Sequence, residues 1–312
     1  MRDQVKSRLF KVLRSLGISR LFSLNVLPDN RHRAYLGEQG PVGGLISGYF
    51  KTLARYTRID SELQRLVTYS EVGNKVKLLL NVCEYTQCQN YFYIPNSCLK
   101  KMILRGGEAF IDVGANVGVF SLMAVHHFSH VLSFEPMPET CSLLLKNRDL
   151  SFSGDKSTLK DKMKVFPIAI SNENRDDHIF SNPLNLGGSK LGEFSDGYKK
   201  DFPQFSNWKS HEVICRPLDE MVVENDIDAI SLIKIDVEGF EVDVIKGAVA
   251  SIEKFEPVLY VEVSSESSYR QIMSILPEGY SPWDPASMEK VTGWIEPDMV
   301  FAKKNPFSGL GS

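Results

Sequence analysis

FIDVGANVGVFSLMAVHHFSHVLSFE, residues 110–135, decides the fold. It opens on Phe110-Ile111-Asp112-Val113, a short apolar and β-branched run of the kind that forms a buried strand. Gly114-Ala115-Asn116-Val117-Gly118 follows, with glycines where a backbone can turn tightly and expose helix-end amides. Phe120, Leu122, Met123 and Val125 then make an apolar helix, and a second strand closes on an acid, Glu135. Strand, glycine turn, helix and acid-ended strand form the opening of a parallel α/β sheet.

Working outward, strands are expected at residues 109–113, 130–135, 164–170, 232–236 and 258–263, with helices at 117–127, 138–150 and 241–254. This alternation predicts a parallel sheet covered by helices on both faces. Upstream, residues 1–27 carry Val5, Leu9, Val12, Leu13 and Leu16 at helical spacing among Lys6, Arg8, Lys11, Arg14 and Arg20. Such a basic amphipathic helix suits an anionic membrane surface or a partner, and equally suits packing on its own domain. Residues 30–48 resemble a linker, 49–69 a helical stretch, and 76–82 with 90–94 a β-hairpin closed by Pro95. The expected division is a mainly helical N-terminal extension at 1–98 and a catalytic domain at 99–312. Within the latter, 180–208 is an insertion whose Asn185-Leu186-Gly187-Gly188-Ser189-Lys190 and aromatics Phe194, Tyr198, Phe202, Phe205 and Trp208 suggest a lid that stacks on a ring, or a packing cluster.

Composition narrows the classes. A chain of 312 residues, 43% hydrophobic and 24% charged, can bury a sizeable core, and a net charge of -3 gives no broad attraction to nucleic acid. Cys83, Cys88, Cys98, Cys141 and Cys215 form no C-x-x-C pair and read as reduced, packed thiols. No apolar run has the length of a membrane span and no signal-peptide pattern opens the chain, so a cytoplasmic enzyme, free or peripheral to a membrane, is the simplest placement. His126, His127, His130, His178 and His211 are dispersed and read as solvated or packed, and of these only His211, near a predicted strand edge, could reach a substrate.

The turn points to an adenosine cofactor at Asp112, Gly114, Ala115, Asn116, Gly118 and Glu135, with the acid placed to accept both ribose hydroxyls and to repel a 2′-phosphate. NAD usually demands G-x-G-x-x-G, and here Asn116 stands at the middle glycine with no third glycine in register. S-adenosylmethionine, which has no pyrophosphate, fits better, and Asp112 suits its cationic amino-acid end. A second constellation, Lys234-Ile235-Asp236-Val237-Glu238-Gly239-Phe240-Glu241, places another acid at a strand end facing the same crevice, and Glu262 ends the next strand. Glu238 and Glu241 also suit a helix first turn, and Lys234 has a structural role unless its pKa is lowered. Asp236 with Glu238 or Glu262 is a further option, for Mg²⁺.

Phe110 to Gly118, Phe134-Glu135-Pro136, Ala169-Ile170-Ser171, Pro217-Leu218-Asp219-Glu220 and Lys234 to Glu241, with the later Gly279-Tyr280 and residues 298–302, together resemble the FkbM-type methyltransferases. The resemblance covers about the last two-thirds of the chain. It implies a Rossmann-like class I methyltransferase sheet, S-adenosylmethionine as donor, and a hydroxyl of a sugar, glycan or secondary metabolite as acceptor. It adds Pro136, Ala169 and Asp236 to the cofactor residues, and Asp236, Glu238 and Lys234 are the catalytic candidates. Two other classes stay open: a NAD-linked oxidoreductase or epimerase, and a non-catalytic binding protein that keeps the fold.

Overall fold

The central strand, β3 (Gly107–Val113), is buried at every position from Ala109 to Val113. An uninterrupted buried run requires both faces to be covered. The computed structural model describes residues 64–71, 74–81, 98–154, 157–182, 185–191, 209–295 and 297–309. All of these belong to the larger of two units, 52–312. The basic helix, the linker, the strand expected at 90–94 and the aromatics of the insertion lie outside the described residues.

Beside β3 run β4 (Phe128–Phe134) and β5 (Met163–Phe166) on one side, and β10 (Leu232–Ile235) and β11 (Val258–Glu262) on the other, all parallel. The sheet finishes with β13 (Asp298–Ala302), antiparallel to β11, and then β12 (Ser281–Trp283) at the edge. The order β12-β13-β11-β10-β3-β4-β5 contains seven strands. A doubly wound dinucleotide sheet runs 3-2-1-4-5-6. Here a reversed strand is inserted between the fifth and sixth, which departs from the NAD alternative. The chain leaves β3 toward β4 and β5 and returns on the other side at β10, so the switch point lies between β3 and β10.

Alternation along the strands sorts side chains into two cores. Phe110, Leu232, Tyr260 and Val300 face helices α1 (Cys98–Arg105), α2 (Val119–Ala124) and α3 (Pro138–Ser151). Ile111, Ile233, Val261 and Phe301 face α5 (Leu218–Glu224), α6 (Glu241–Lys246), α7 (Val249–Phe255) and α8 (Glu266–Ile275); the remaining short helix, α4, is Ser157–Lys160. Asp219 of the Pro-Leu-Asp-Glu run caps α7, accepting from Ala250 N at 3.0 Å and Ser251 N at 2.7 Å.

Several boundaries differ from expectation. The strand expected at 164–170 is broken at Pro167, which cannot donate to a ladder. Its second part, β6 (Ala169–Ile170), joins a four-stranded sheet with β7 (Arg175–Asn182), β8 (Asn185–Leu191) and β9 (Lys209–Arg216). The glycines expected to hinge a lid therefore lie inside β8. The helix expected at 241–254 breaks at Gly247, where an added Cβ would stand 1.9 Å from the Ser171 carbonyl oxygen. The hairpin pairs β2 (Asn74–Asn81) with the preceding β1 (Gln64–Glu71), so the end of the expected helical stretch is a strand, as its Val67-Thr68-Tyr69 favour.

Two side chains of α3, Ser151 and Asn147, tie the hairpin to the main sheet. Val76, Leu78 and Leu80 are buried in the first core. Lys77 N donates to Ser151 Oγ at 2.9 Å and Leu79 N to Asn147 Oδ1 at 2.6 Å, so side chains of α3 satisfy the edge of β2. Asn147 is fully buried, and its Nδ2 donates to Val117 O at 3.0 Å, inside the glycine turn. Asn147→Leu leaves an N–H and a carbonyl unpartnered and should cost roughly 2–4 kcal/mol in urea unfolding. A loss below about 1 kcal/mol would show that neither bond matters.

Candidate active site

The glycine turn is fixed by backbone bonds from the neighbouring strand. Gly114 N and Ala115 N both donate to Phe134 O at 3.0 Å, and Gly118 N donates to Ala115 O at 2.9 Å. Asn116 adopts φ +50°, a conformation its short polar side chain tolerates, and its Oδ1 accepts from Val117 N at 2.8 Å. Gly114 has φ +77°, and a Cβ there would stand 1.8 Å from the Asp236 carbonyl oxygen. The two sequence constellations thus meet backbone to backbone at the switch point.

Glu135 ends β4 with 7% of its surface exposed. Its Oε2 accepts from Asn116 N at 2.8 Å and its Oε1 from Met137 N at 2.9 Å, which joins the turn to the entrance of α3. Burial pushes its pKa up to about 7, against the opposing pull of the two amides. Pro136 follows, half-buried, in the same link.

Behind the turn lies a buried ion pair. Lys234 Nζ stands 2.8 Å from Gly114 O, 3.2 Å from Asp112 Oδ1 and 3.4 Å from Asp236 Oδ2. Asp112 is fully buried, and its Oδ2 accepts from Ser121 Oγ at 2.5 Å, which in turn accepts from Ser133 Oγ at 2.8 Å. Burial pulls the Lys234 ammonium down, but Asp112 and Asp236 outweigh it and the pKa rises. Lys234 thus takes the structural role that the sequence allows it, paired with acids inside the sheet, and the Asp112 side chain is held by Lys234 and Ser121. Ser121 was legible only as a polar residue inside the apolar run of α2.

Asp236 is different, with 45% of its side chain exposed. Burial of its surroundings pushes its pKa up, but Lys234 and a hydrogen bond with Glu262 prevail and hold it below the ordinary value. Glu238 and Gly239 turn the chain at φ +53° and +103°, and Glu241, almost fully buried, accepts from Gly239 N at 2.7 Å. Glu241 therefore closes its turn, while Glu238 stands half-buried on it. Ala169 sits buried in β6 opposite Cys215, in the second sheet and not at the end of a main strand. His211 approaches Glu139, 3.7 Å from Nε2 to Oε1. Cys98, Cys141 and Cys215 are buried free thiols. Among the described residues no group of three or more His, Cys, Asp and Glu is placed to hold a metal ion, and no helix is long and apolar enough to cross a membrane. A cavity of about 490 Å³ opens at the other edge of the sheet, lined by Arg105, Ser231, Lys303 and Lys304 among others.

The model of the methyltransferase FkbM domain matches residues 112–282, more than half of the chain. The chain belongs to the FkbM methyltransferase family. The matched span contains Asp112, Glu135, Lys234, Asp236, Glu238 and Glu262, and stops short of residues 298–302. The 2-O-methyltransferase NoeI of Sinorhizobium fredii (strain NBRC 101917 / NGR234) is 26% identical over 204 residues, covering 59% of this chain and 79% of that protein. Among solved structures, methyltransferase FkbM from Methylobacillus flagellatus KT is similar with a TM-score of 0.43 and 17% identity, covering 95% of this chain and 70% of that one. The 16S rRNA N2 G1207 methyltransferase RsmC of T. thermophilus, in complex with AdoMet and guanosine, gives 0.41 and 10%, covering 78% and 51%. As a member of the family whose model it matches, the chain is a methyltransferase.

Lys234→Met would leave Asp112 as a buried charge without a cation, and should lose about 3–5 kcal/mol of unfolding free energy. Adding Asp112→Asn should restore part of that loss. A single variant as stable as the parent would contradict the assigned ion pair.

Proposed function

We propose that the enzyme transfers the methyl group of S-adenosylmethionine to a hydroxyl of a sugar, glycan or secondary metabolite, within a domain of residues 99–312 to which the β1–β2 hairpin adds. One observation carries the reading: a glycine turn closed by Glu135 abuts a second strand end that presents the half-exposed Asp236. The name of the relative NoeI, a 2-O-methyltransferase, supports an oxygen acceptor.

The residues present fit the donor. Each Glu135 oxygen accepts one backbone N–H, so each keeps a lone pair for a ribose hydroxyl. When bound, S-adenosylmethionine supplies a sulfonium-activated methyl carbon. Gly114, Ala115, Asn116 and Gly118 form the turn that receives the methionine end, and Pro136 borders the adenosine side. Asp236 takes the acceptor proton and aims the oxygen in line with the methyl carbon, an arrangement that mainly lowers the entropic part of the barrier. Lys234 holds the Asp236 carboxylate in place and Glu238 borders the acceptor. No step calls for a metal.

If ribose binds the ionised form of Glu135, calorimetric affinity for S-adenosylmethionine should tighten up to about 10-fold between pH 6 and 8, as Glu135 loses its proton, and should be flat in Glu135→Gln. No binding at millimolar donor, or a preference for NAD in a parallel titration, would defeat the reading. Asp236→Asn should lower turnover on a panel of methyl glycosides by roughly 10²–10⁴-fold with donor affinity little altered. Full turnover in that variant would remove Asp236 from the chemistry.

A further inference from the structure

Three adjacent strands bring their acids to one face of the sheet edge. Lys234 is in register with Tyr260, so Asp236, two residues on, lies beside Glu262. Glu262 is in turn the register partner of Asp298 across the antiparallel β11–β13 pair. Tyr260 donates its hydroxyl to Asp298 Oδ2 at 2.9 Å, which ties that carboxylate back toward the core. Glu262 and Asp236 share a side-chain hydrogen bond. The charged groups around Glu262 are Asp236 at the end of β10, Glu238 on the turn that follows, and Asp298 on β13, while Lys234 on β10 holds Asp236 and Asp112. Lys234 is thus one cation beside Asp112 and the acid row, and neighbouring carboxylates cannot all ionise.

We propose that Glu262 is a positioning residue of the methyl transfer: it donates its carboxyl proton in a hydrogen bond to Asp236 and fixes that carboxylate toward the acceptor hydroxyl. The inference rests on Asp236 as the group that takes the acceptor proton. As the O–CH₃ bond forms, the C–S bond of the sulfonium breaks and its electron pair stays on sulfur. The acceptor O–H bond breaks and its proton passes to Asp236, which returns it to solvent through its exposed side. Glu262 keeps its own proton throughout. Burial, then the charge of Asp236 and their shared hydrogen bond, push Glu262 up to about 9, so it holds this proton across the neutral range. Above that pH the hydrogen bond is lost and a second negative charge stands beside Asp236.

The test uses the full chain with saturating S-adenosylmethionine and the methyl glycosides, reading S-adenosylhomocysteine from pH 6 to 10, beside carbon-13 NMR of carboxyl-labelled glutamate. In the parent, kcat should fall about 10-fold per pH unit above about 9, and one glutamate should titrate there. Glu262→Gln, which keeps a donor, should lose both the limb and the resonance. Glu262→Ala should lose roughly 10-fold in kcat with donor affinity held within about 3-fold, and Glu262→Gln should lose less. An unaltered alkaline limb in Glu262→Gln, parental turnover in Glu262→Ala, or no glutamate titrating above the ordinary range overturns the role of Glu262. The NMR arm needs no acceptor. A fully active Asp236→Asn overturns the reading of Asp236 instead, so the two failures are distinguishable.

Discussion

The ammonium of Lys234 joins everything that meets at the switch point. It reaches the Gly114 carbonyl, the buried Asp112 and the half-exposed Asp236, so the glycine turn and the second acid-ended strand are held by one cation. An unpaired charge at that depth is expensive, which makes the arrangement all-or-none. The same contact separates two carboxylates by task. Asp112 is withdrawn into the core with Ser121, and Asp236 is left at the surface with its charge preserved.

Each of the two turns is further closed by a carboxylate folded back onto backbone amides, Glu135 on the first and Glu241 on the second. These bonds hold positive-φ residues, Asn116 and Glu238, in conformations that would otherwise relax. Rigidity of this sort matters for in-line transfer, where a small displacement of the oxygen from the methyl carbon raises the barrier steeply. Asn147 extends the constraint outward, because the amide that satisfies the glycine turn also satisfies the edge of the hairpin.

The sheet was legible because its strands are buried on both faces and read as apolar runs, as at Phe110 to Val113 and Leu232 to Ile235, each interrupted by one member of the buried ion pair, Asp112 or Lys234. The abutting of Gly114 on Asp236 followed from both lying at carboxyl ends of neighbouring strands. What escaped the reading was direction and pairing. A sequence shows Asp112 beside the turn but not that the strand's pleat turns it inward onto Lys234. It shows Glu262 at a strand end, yet the hydrogen bond to Asp236 depends on the register of β10 and β11. The small sheet went unseen because Pro167 redirects the chain after four residues of β5, and β8 contains two glycines that weaken any strand signal.

In-line transfer at this site requires one location for the donor. A crystal structure of the full chain with S-adenosylhomocysteine, the product form of the donor, tests it most directly. The predicted result places both ribose hydroxyls within hydrogen-bond distance of Glu135 and the sulfur on the side of the turn that faces Asp236. Ligand bound without contact to Glu135, for instance in the cavity near Arg105 and Lys303 at the opposite edge, would contradict it.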